Sequence, residues 1–433
     1  MFSFSSGVSM KASSDAPDSA GVSVPTHWLN RSIVGAGLTS ALGDFGYETA
    51  SVVLPGLLAT LGIPADALGT IEGIADAASS LTKLGAGHIA DRVGHRKTLV
   101  CLGYALTPFG QALMALAAGW PLILLGRTLG WFGRGLRGPL RDAIVAESIT
   151  PQTRGRAFGF HRAADSIGAV IGPSLGVVLL AAMQAAMPAG AVGPFRWVLW
   201  LTLIPGALSV LSFAMLVRDE RSVANPRATF RQSIRELPPG FRRYLGAVGL
   251  FGAGDYAHTL LILAATQLLR GRFGLAHAAE IAGLLYVLRN AVQTAASFPL
   301  GALADFVGPR RVLAWGYAFG VATAVLTAVA FVVDSDILRL ALLVAVFAFA
   351  GAYVATEDAL EAALAANLVP GRLHNIGYGV LGATNGIGDL ISSTLVGALW
   401  TAVSAPVAFL TAAAIMLSGT VVMASVRLPV PEA

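Results

Sequence analysis

The chain has 433 residues, 55% of them hydrophobic and only 12% charged, with a mean hydropathy of +0.71; a soluble domain carries about twice that charged fraction, so lipid is the solvent for most of this surface. The formal net charge of +5 belongs to a membrane chain and does not imply nucleic acid. A lone cysteine, Cys101, lies in an apolar run, which excludes a disulfide framework and a CxxC metal site and reads as a small core residue.

In chain order, residues 1–30 are rich in Ser, Ala and Asp, without the compact apolar core of a signal peptide, and are expected to form a disordered cytoplasmic tail. Twelve apolar stretches follow, each long enough for the roughly 20 residues a bilayer demands. They are 31–60, 66–90, 97–118, 121–148, 157–183, 196–217, 244–270, 279–303, 311–333, 337–367, 374–400 and 405–427. Between the sixth and seventh lies the polar segment 218–243, "RDERSVANPRATFRQSIRELPPGFRR", and 428–433 forms a short tail. The expected organisation is a six-helix bundle over 31–217, a cytoplasmic linker over 218–243 and a second six-helix bundle over 244–427.

Lys and Arg in the loops set the orientation. Sixteen fall on one side: Arg92, Arg96, Lys97, Arg154, Arg156, the seven arginines of the linker, Arg310, Arg311, Arg372 and Arg427. Four fall on the other: Arg196, Arg270, Arg272 and Arg339. The richer side should be cytoplasmic, and with twelve spans both termini share it, in a cell inner membrane.

The two sets of six spans repeat one another. "GHIADRVGHRKTLV" at 87–100 returns as "GALADFVGPRRVLA" at 301–314, an offset of 214 between Asp91 and Asp305. Asp44 in "GDFGY" corresponds to Asp255 in "GDYAH" (offset 211), "RDAI" at 141–144 to "EDAL" at 357–360 (216), and Gly168 to Gly386 (218). A slowly drifting offset over four points marks a tandem duplication. Parallel repeats about an axis normal to the membrane are a known transporter plan, with substrate held between the halves.

These motifs resemble the major facilitator superfamily over roughly residues 31–427. Gly87, Asp91, Arg92, Gly94, Arg96 and Lys97 match that family's loop signature between spans two and three, with His95 where Arg is common. The second copy keeps Gly301, Asp305, Gly308, Arg310 and Arg311 but has Phe306 in place of Arg. "LLGRTLGWFGRG" is similar to the fourth-span motif at Arg127, and "GAVIGPSLG" at 168–176 to a fifth-span motif associated with exporters and antiporters. "TPQTRGR" at 150–156 resembles the loop after span four, with Gln152 where an acid is frequent. The resemblance implies an all-α membrane protein, two six-helix bundles related by pseudo-twofold symmetry, and alternating access driven by an ion gradient.

An intramembrane charge is expensive unless it faces a partner or a wet cavity, so each is a functional candidate. Asp44 and Glu48 are i, i+4 on span one; Glu72, Asp76 and Lys83 share a face of span two; Arg127, Arg134 and Arg141 are heptad-spaced on span four with Arg137 beside them; His161, Arg162 and Asp165 cluster on span five. The second half offers Asp255 and His258 on span seven, Arg289, Asn290 and Gln293 on span eight, Glu357, Asp358 and Glu361 on span ten, and Asn385 and Asp389 on span eleven. Asp44, Glu48, Glu72, Asp76, Arg127, Arg134, His161, Arg162, Asp165, Asp255, His258, Glu357 and Asn385 are the expected substrate and proton pathway. Asp91, Arg92, Arg96, Arg141, Asp142, Glu147, Asp305 and Arg310 are the expected cytoplasmic gate. Glu357 stands where the repeat has Arg141, a sign reversal that suits either a salt bridge between bundles or an asymmetric cavity.

"GRGLRG" and "GAGHIA" fit dinucleotide-loop patterns and "GPSLG" fits a nucleophile elbow, but none follows a strand. No GxxxxGK[ST] is present and the seven histidines lack metal-ligand spacing. The expected protein is therefore not an enzyme and holds no cofactor or structural metal. It is a monomeric transporter whose partners are a small solute, protons and lipid, with proton-coupled export foremost. A divalent-cation transporter using Asp44, Glu48, Glu72 and Asp76 is one alternative, since hard cations want oxygen. A non-transporting membrane sensor or assembly protein is another.

Overall fold

A computed structural model describes residues 29–93, 96–149, 154–188, 191–218, 236–369 and 374–426. Thirteen helices are present among these: α1 Arg31–Thr60, α2 Ala65–Val93, α3 Arg96–Leu116, α4 Trp120–Glu147, α5 Arg154–Ala186, α6 Gly193–Leu201, α7 Leu203–Leu216, α8 Pro239–Gly252, α9 His258–Val307, α10 Pro309–Val332, α11 Asp336–Leu368, α12 His374–Ala402 and α13 Ala405–Ser425. They make twelve spans. The sixth is α6 plus α7; the seventh is α8 plus the start of α9; the rest of α9 is the eighth. Most of the linker and both extreme tails lie outside the described residues.

Local chemistry sets the ends. Asn30 caps α1, its Oδ1 accepting from the amides of Ser32 (2.9 Å) and Ile33 (3.1 Å), which supplies partners to two of the helix's free donors. Gly274 (φ 74) separates the two helical segments of α9, and Gly308 (φ 97) ends that helix in the second copy of the repeated turn. A side chain would strain either backbone.

Among the described residues six spans are long and apolar enough to cross a membrane by composition alone: the third, fifth, sixth, ninth, tenth and twelfth. Charges that the spans carry fold inward. Asp44, Glu48, Glu72, Arg127, Arg137, His161 and Glu361 are all buried, whereas Phe298 and Phe306 on α9 are 84% and 89% exposed, as lipid-facing side chains would be.

Small residues set the helix contacts, as is usual where no hydrophobic drive separates helix from lipid. Gly168, Gly172 and Gly176, the fifth-span motif, all face α1: a Cβ at Gly172 would come within 2.6 Å of the Phe45 carbonyl. Gly103 and Gly110 of α3 approach Gly133 and Gly126 of α4 in the same manner. The bundles meet along two seams. In one, α2 runs against α12, with Gly69 and Gly73 facing Ser393 and Leu390, and Gly397 facing Ala65. In the other, α1 and α5 meet α9, where Gly283 lies against Val52 and Val177.

Candidate functional site

In the N-terminal bundle one face of α4 is a ladder of guanidinium groups. Arg127 is 3% exposed; it donates from Nε to Glu72 Oε2 (3.1 Å), from Nη1 to Ser51 Oγ (3.1 Å) and from Nη2 to the Tyr47 hydroxyl (3.3 Å). The other Glu72 oxygen, Oε1, has no partner. Arg134 sits over the rings of Tyr47 (4.8 Å) and Trp131 (4.9 Å), and among the described residues it forms no ion pair. Arg137 donates to Thr107 (2.8 Å) over the Tyr104 ring. Arg141 pairs with Asp142 (3.0 Å) and donates to Ser40 (2.7 Å) and the Tyr104 hydroxyl (3.2 Å).

Spans one and five meet this ladder. His161 Nε2 lies 3.4 Å from Ser40 Oγ, and Asp165 is within hydrogen-bonding reach of Asp44. Arg162 is not drawn in. Its side chain is 76% exposed and reaches Asp165 only at 3.9 Å, because a residue one step along a helix is turned about 100° from its neighbour.

Two hydrogen bonds join the bundles near mid-depth. The Tyr286 hydroxyl donates to Glu48 Oε2 (2.7 Å), and Asn290 Nδ2 donates to the Ala169 carbonyl (2.9 Å). His258 stacks on Tyr286 with centroids 5.0 Å apart.

Beyond that contact opens a cavity of about 280 Å³. Asp76 and Trp131 contribute one wall; Asp255, Tyr256, His258, Arg289, Tyr353, Glu357, Asp358 and Asp389 supply most of the rest. The seventh span breaks here, a feature the sequence did not announce. Residues 253–257 leave the helix, and α12 satisfies the freed backbone: Ser392 donates to the Asp255 carbonyl (2.6 Å) and Ser393 accepts from the Ala257 amide (3.0 Å). Irregular backbone at membrane depth is tolerated where it lines a cavity, and broken helices mark transporter binding sites. Tyr353 hydrogen-bonds the Asp255 carboxyl group. Arg289 spends its Nη1 on Asn290 (2.8 Å) and Gln293 (2.9 Å), and Gln293 in turn donates to Asp358 (2.8 Å).

One turn past Glu357 on α11, Glu361 accepts from Tyr317 (2.5 Å) and Asn385 (2.7 Å). Asn385 thus serves a buried carboxylate behind the cavity instead of the cavity itself. Arg141 and Glu357 are not partners, since Arg141 is occupied within its own bundle; the sign reversal builds an asymmetric interior. Of the expected gate, Arg96 is buried and Arg310 donates to the Val426 carbonyl. The side chains of Asp91, Arg92, Glu147 and Asp305 lie outside the described residues. Glu72 is held by Arg127, Glu48 by Tyr286 and Asp44 lies beside Asp165, whereas Asp76 opens to the cavity, and among the described residues no three His, Cys, Asp or Glu side chains group as a metal site.

Sequence reasoning passed over the tyrosines. Seven of eight are buried, Tyr378 alone being exposed, and Tyr47, Tyr104, Tyr286, Tyr317 and Tyr353 each hydrogen-bond a charged side chain. The available signal was a phenol in an apolar span, which must find a polar partner.

A model of the Major Facilitator Superfamily matches residues 36–269 and 247–433. The chain is 28% identical over 289 residues to an uncharacterised MFS-type transporter of Methanocaldococcus jannaschii, a match covering 67% of this chain and 70% of that one. It is 25% identical over 155 residues to the quinolone resistance protein NorA of Staphylococcus aureus, covering 35% and 39%. Its fold is similar to the crystal structure of the nucleoside transporter NupG (TM-score 0.72, 13% identity, 91% of this chain and 98% of that one). It is also similar to the peptide transporter POT in complex with sulfate (TM-score 0.69, 14% identity, 92% and 94%).

Proposed function

Because the chain belongs to the Major Facilitator Superfamily, we propose that it is a secondary active transporter that exports a small solute by alternating access in exchange for protons. The observation that carries the reading is the charged cavity between the two bundles, with a broken seventh helix at its edge. A bundle built only to hold itself together has no use for five carboxylates around one open space, since each is costly to bury.

In this reading the bundles 31–217 and 244–427 rock about the cavity, joined by 218–243. The Glu48–Tyr286 bond across the interface and the neighbouring Asp44 and Asp165 carboxyl groups are the proton-handling elements. Two carboxyl groups that close share a proton more readily than they carry two charges. Asp91, Arg92, Arg96, Arg141, Asp142, Glu147, Asp305 and Arg310 form the gate at the end that carries both termini, which the Lys and Arg distribution assigns to the cytoplasm of a bacterial inner membrane. Export is supported by the fifth-span motif and by the likeness to a quinolone resistance protein. The divalent-cation alternative is weakened because its four carboxylates do not converge: Glu72 is taken by Arg127, Glu48 by Tyr286, Asp44 lies beside Asp165, and Asp76 faces the cavity.

The test is flux in proteoliposomes of the purified chain. Antiport predicts that solute movement carries a matching change of luminal pH and that Asp44→Asn abolishes it. Flux that persists unchanged with the pH gradient collapsed and pH held fixed sinks proton coupling. Full function after neutralising both Asp44 and Arg127 would leave the sensor or assembly reading standing.

A further inference from the structure

We infer that the interfacial cavity binds an organic cation: a protonated amine on a flat body that also offers a hydrogen-bond acceptor. This inference rests on the transporter reading and narrows it to a substrate class.

The charge balance comes first. Asp76, Asp255, Glu357, Asp358 and Asp389 line the cavity against a single guanidinium, Arg289. That guanidinium is turned onto two neutral amides, Asn290 and Gln293. Asp255 and Asp358 each have a neutral hydrogen-bond donor, Tyr353 and Gln293. Among the described residues the carboxyl groups of Asp76, Glu357 and Asp389 form no hydrogen bond or close ion pair, and Lys83 adds one amine within electrostatic reach of Asp76, Asp358 and Asp389, which still leaves five acids against two cations. An excess of acceptors without donors in a membrane interior asks for a ligand that brings positive charge.

Acids alone would not identify a site. The independent observation is a set of unpartnered groups on the same walls. Trp131 Nε1, Arg289 Nε and His258 Nε2 are buried without partners, and all three residues line the cavity. Buried polar groups are normally satisfied. Trp131 and Arg289 can only donate there, so the ligand needs an acceptor as well as a cationic donor. The rings of Tyr256 and Tyr353 provide surfaces for a flat, positively charged body.

The size and the metal geometry separate organic from inorganic cations. About 280 Å³ lies just below the roughly 300–1,000 Å³ range of ligand pockets, which suits a small ligand, and far exceeds a single ion. A hard divalent cation demands six or more converging oxygens, and the acids are spread around the walls without forming even a three-residue group.

The experiment uses the full-length purified protein and matched probes that share a ring and differ in charge: tyramine against 3-(4-hydroxyphenyl)propionate, tryptamine against indole-3-propionate, and Mn²⁺ alone. Thermal unfolding and competition binding should show the amines stabilising the protein and their carboxylate partners failing to do so. Glu357→Gln and Asp389→Asn should each weaken amine binding by about tenfold, the loss of one charge-assisted contact. Should either variant fold poorly, Trp131→Phe keeps the ring, removes the donor, and should weaken binding by about fivefold. The inference is overturned if the carboxylates bind as well as the amines, if Mn²⁺ displaces them, or if no amine shifts the protein at all. Failure of the transporter reading looks different: amines would bind but not exchange for protons in proteoliposomes. Proton-coupled flux of the carboxylates would spare that reading and sink the cation assignment.

Discussion

The same sequence pattern does opposite things in the two bundles. In the first half "GDFGY" sits inside the unbroken helix α1; in the second, "GDYAH" is the place where the seventh span comes apart. The difference lies in what faces each. Ser392 and Ser393 of α12 take up the carbonyl of Asp255 and the amide of Ala257. At the equivalent position in the first half, Ser174 bonds the Val170 carbonyl of its own helix (2.7 Å). A Gly-Asp pair permits a break, and a neighbouring helix decides whether one is stabilised.

The charges diverge in the same way. In the first half Glu72 and Asp142 are matched with guanidinium groups and Asp44 lies beside Asp165, while Glu48 crosses to Tyr286 and Asp76 opens to the cavity. The second places carboxylates around open space and gives them tyrosines. In the proposed transport cycle the duplicated fold would divide its labour, one bundle supplying the pivot and proton-handling groups and the other most of the binding wall. Substitutions that break this comparison should follow a graded order. Arg127→Ala should be the most damaging, because it strands Glu72, 1% exposed, without its cation, at a cost of about 3–5 kcal/mol. Loss of folded protein in detergent is the readout, and the pair Arg127→Met with Glu72→Leu should restore much of it.

Next comes the seam between bundles. Gly397→Val would drive a side chain into the Ala65 carbonyl, 2.7 Å from where its Cβ must lie, costing about 1–3 kcal/mol in thermal unfolding. Tyr286→Phe removes the bond to Glu48 and should shift the balance between open and closed interfaces by about 2 kcal/mol, visible as faster labelling of residues at the α1–α9 contact. Ser393→Ala leaves the Ala257 amide without its partner and should cost about 1 kcal/mol, while Ser174→Ala should be close to silent. Equal effects from these two would erase the distinction drawn between the seventh and first spans. Arg162→Ala, on an exposed side chain with a long ion pair, should stay within about 0.5 kcal/mol of the parent.

Much of the fold was legible because a bilayer demands long apolar runs and a duplication leaves a register. α1 and the predicted first span share both ends, 31 and 60. Burial of Asp44, Glu48 and Arg127 was also foreseeable, since exposure to lipid would be costly. Partnerships were not. Periodicity puts Glu72 and Asp76 on one face of α2, yet Glu72 pairs with Arg127 while Asp76 opens to the cavity; that split depends on how α4 and α12 pack on either side. Glu361, Tyr317 and Asn385 come from three helices, and no spacing along the chain links them. Arg162 keeps a long contact to Asp165 at i, i+3 but stays 76% exposed, an outward placement that sequence clustering alone does not foretell.

The central claim is that charged inner faces of two duplicated bundles enclose a hydrated passage. The chain has one cysteine, so a Cys101→Ser background makes accessibility a clean measurement. Single cysteines placed at 357, 389 and 76 should react with a membrane-impermeant methanethiosulfonate, and more slowly when a bound amine is present, while cysteines replacing the outward-facing Leu211 and Phe298, 52% and 84% exposed, should not react. Labelling confined to 211 and 298, or equally slow at all five, would contradict the account.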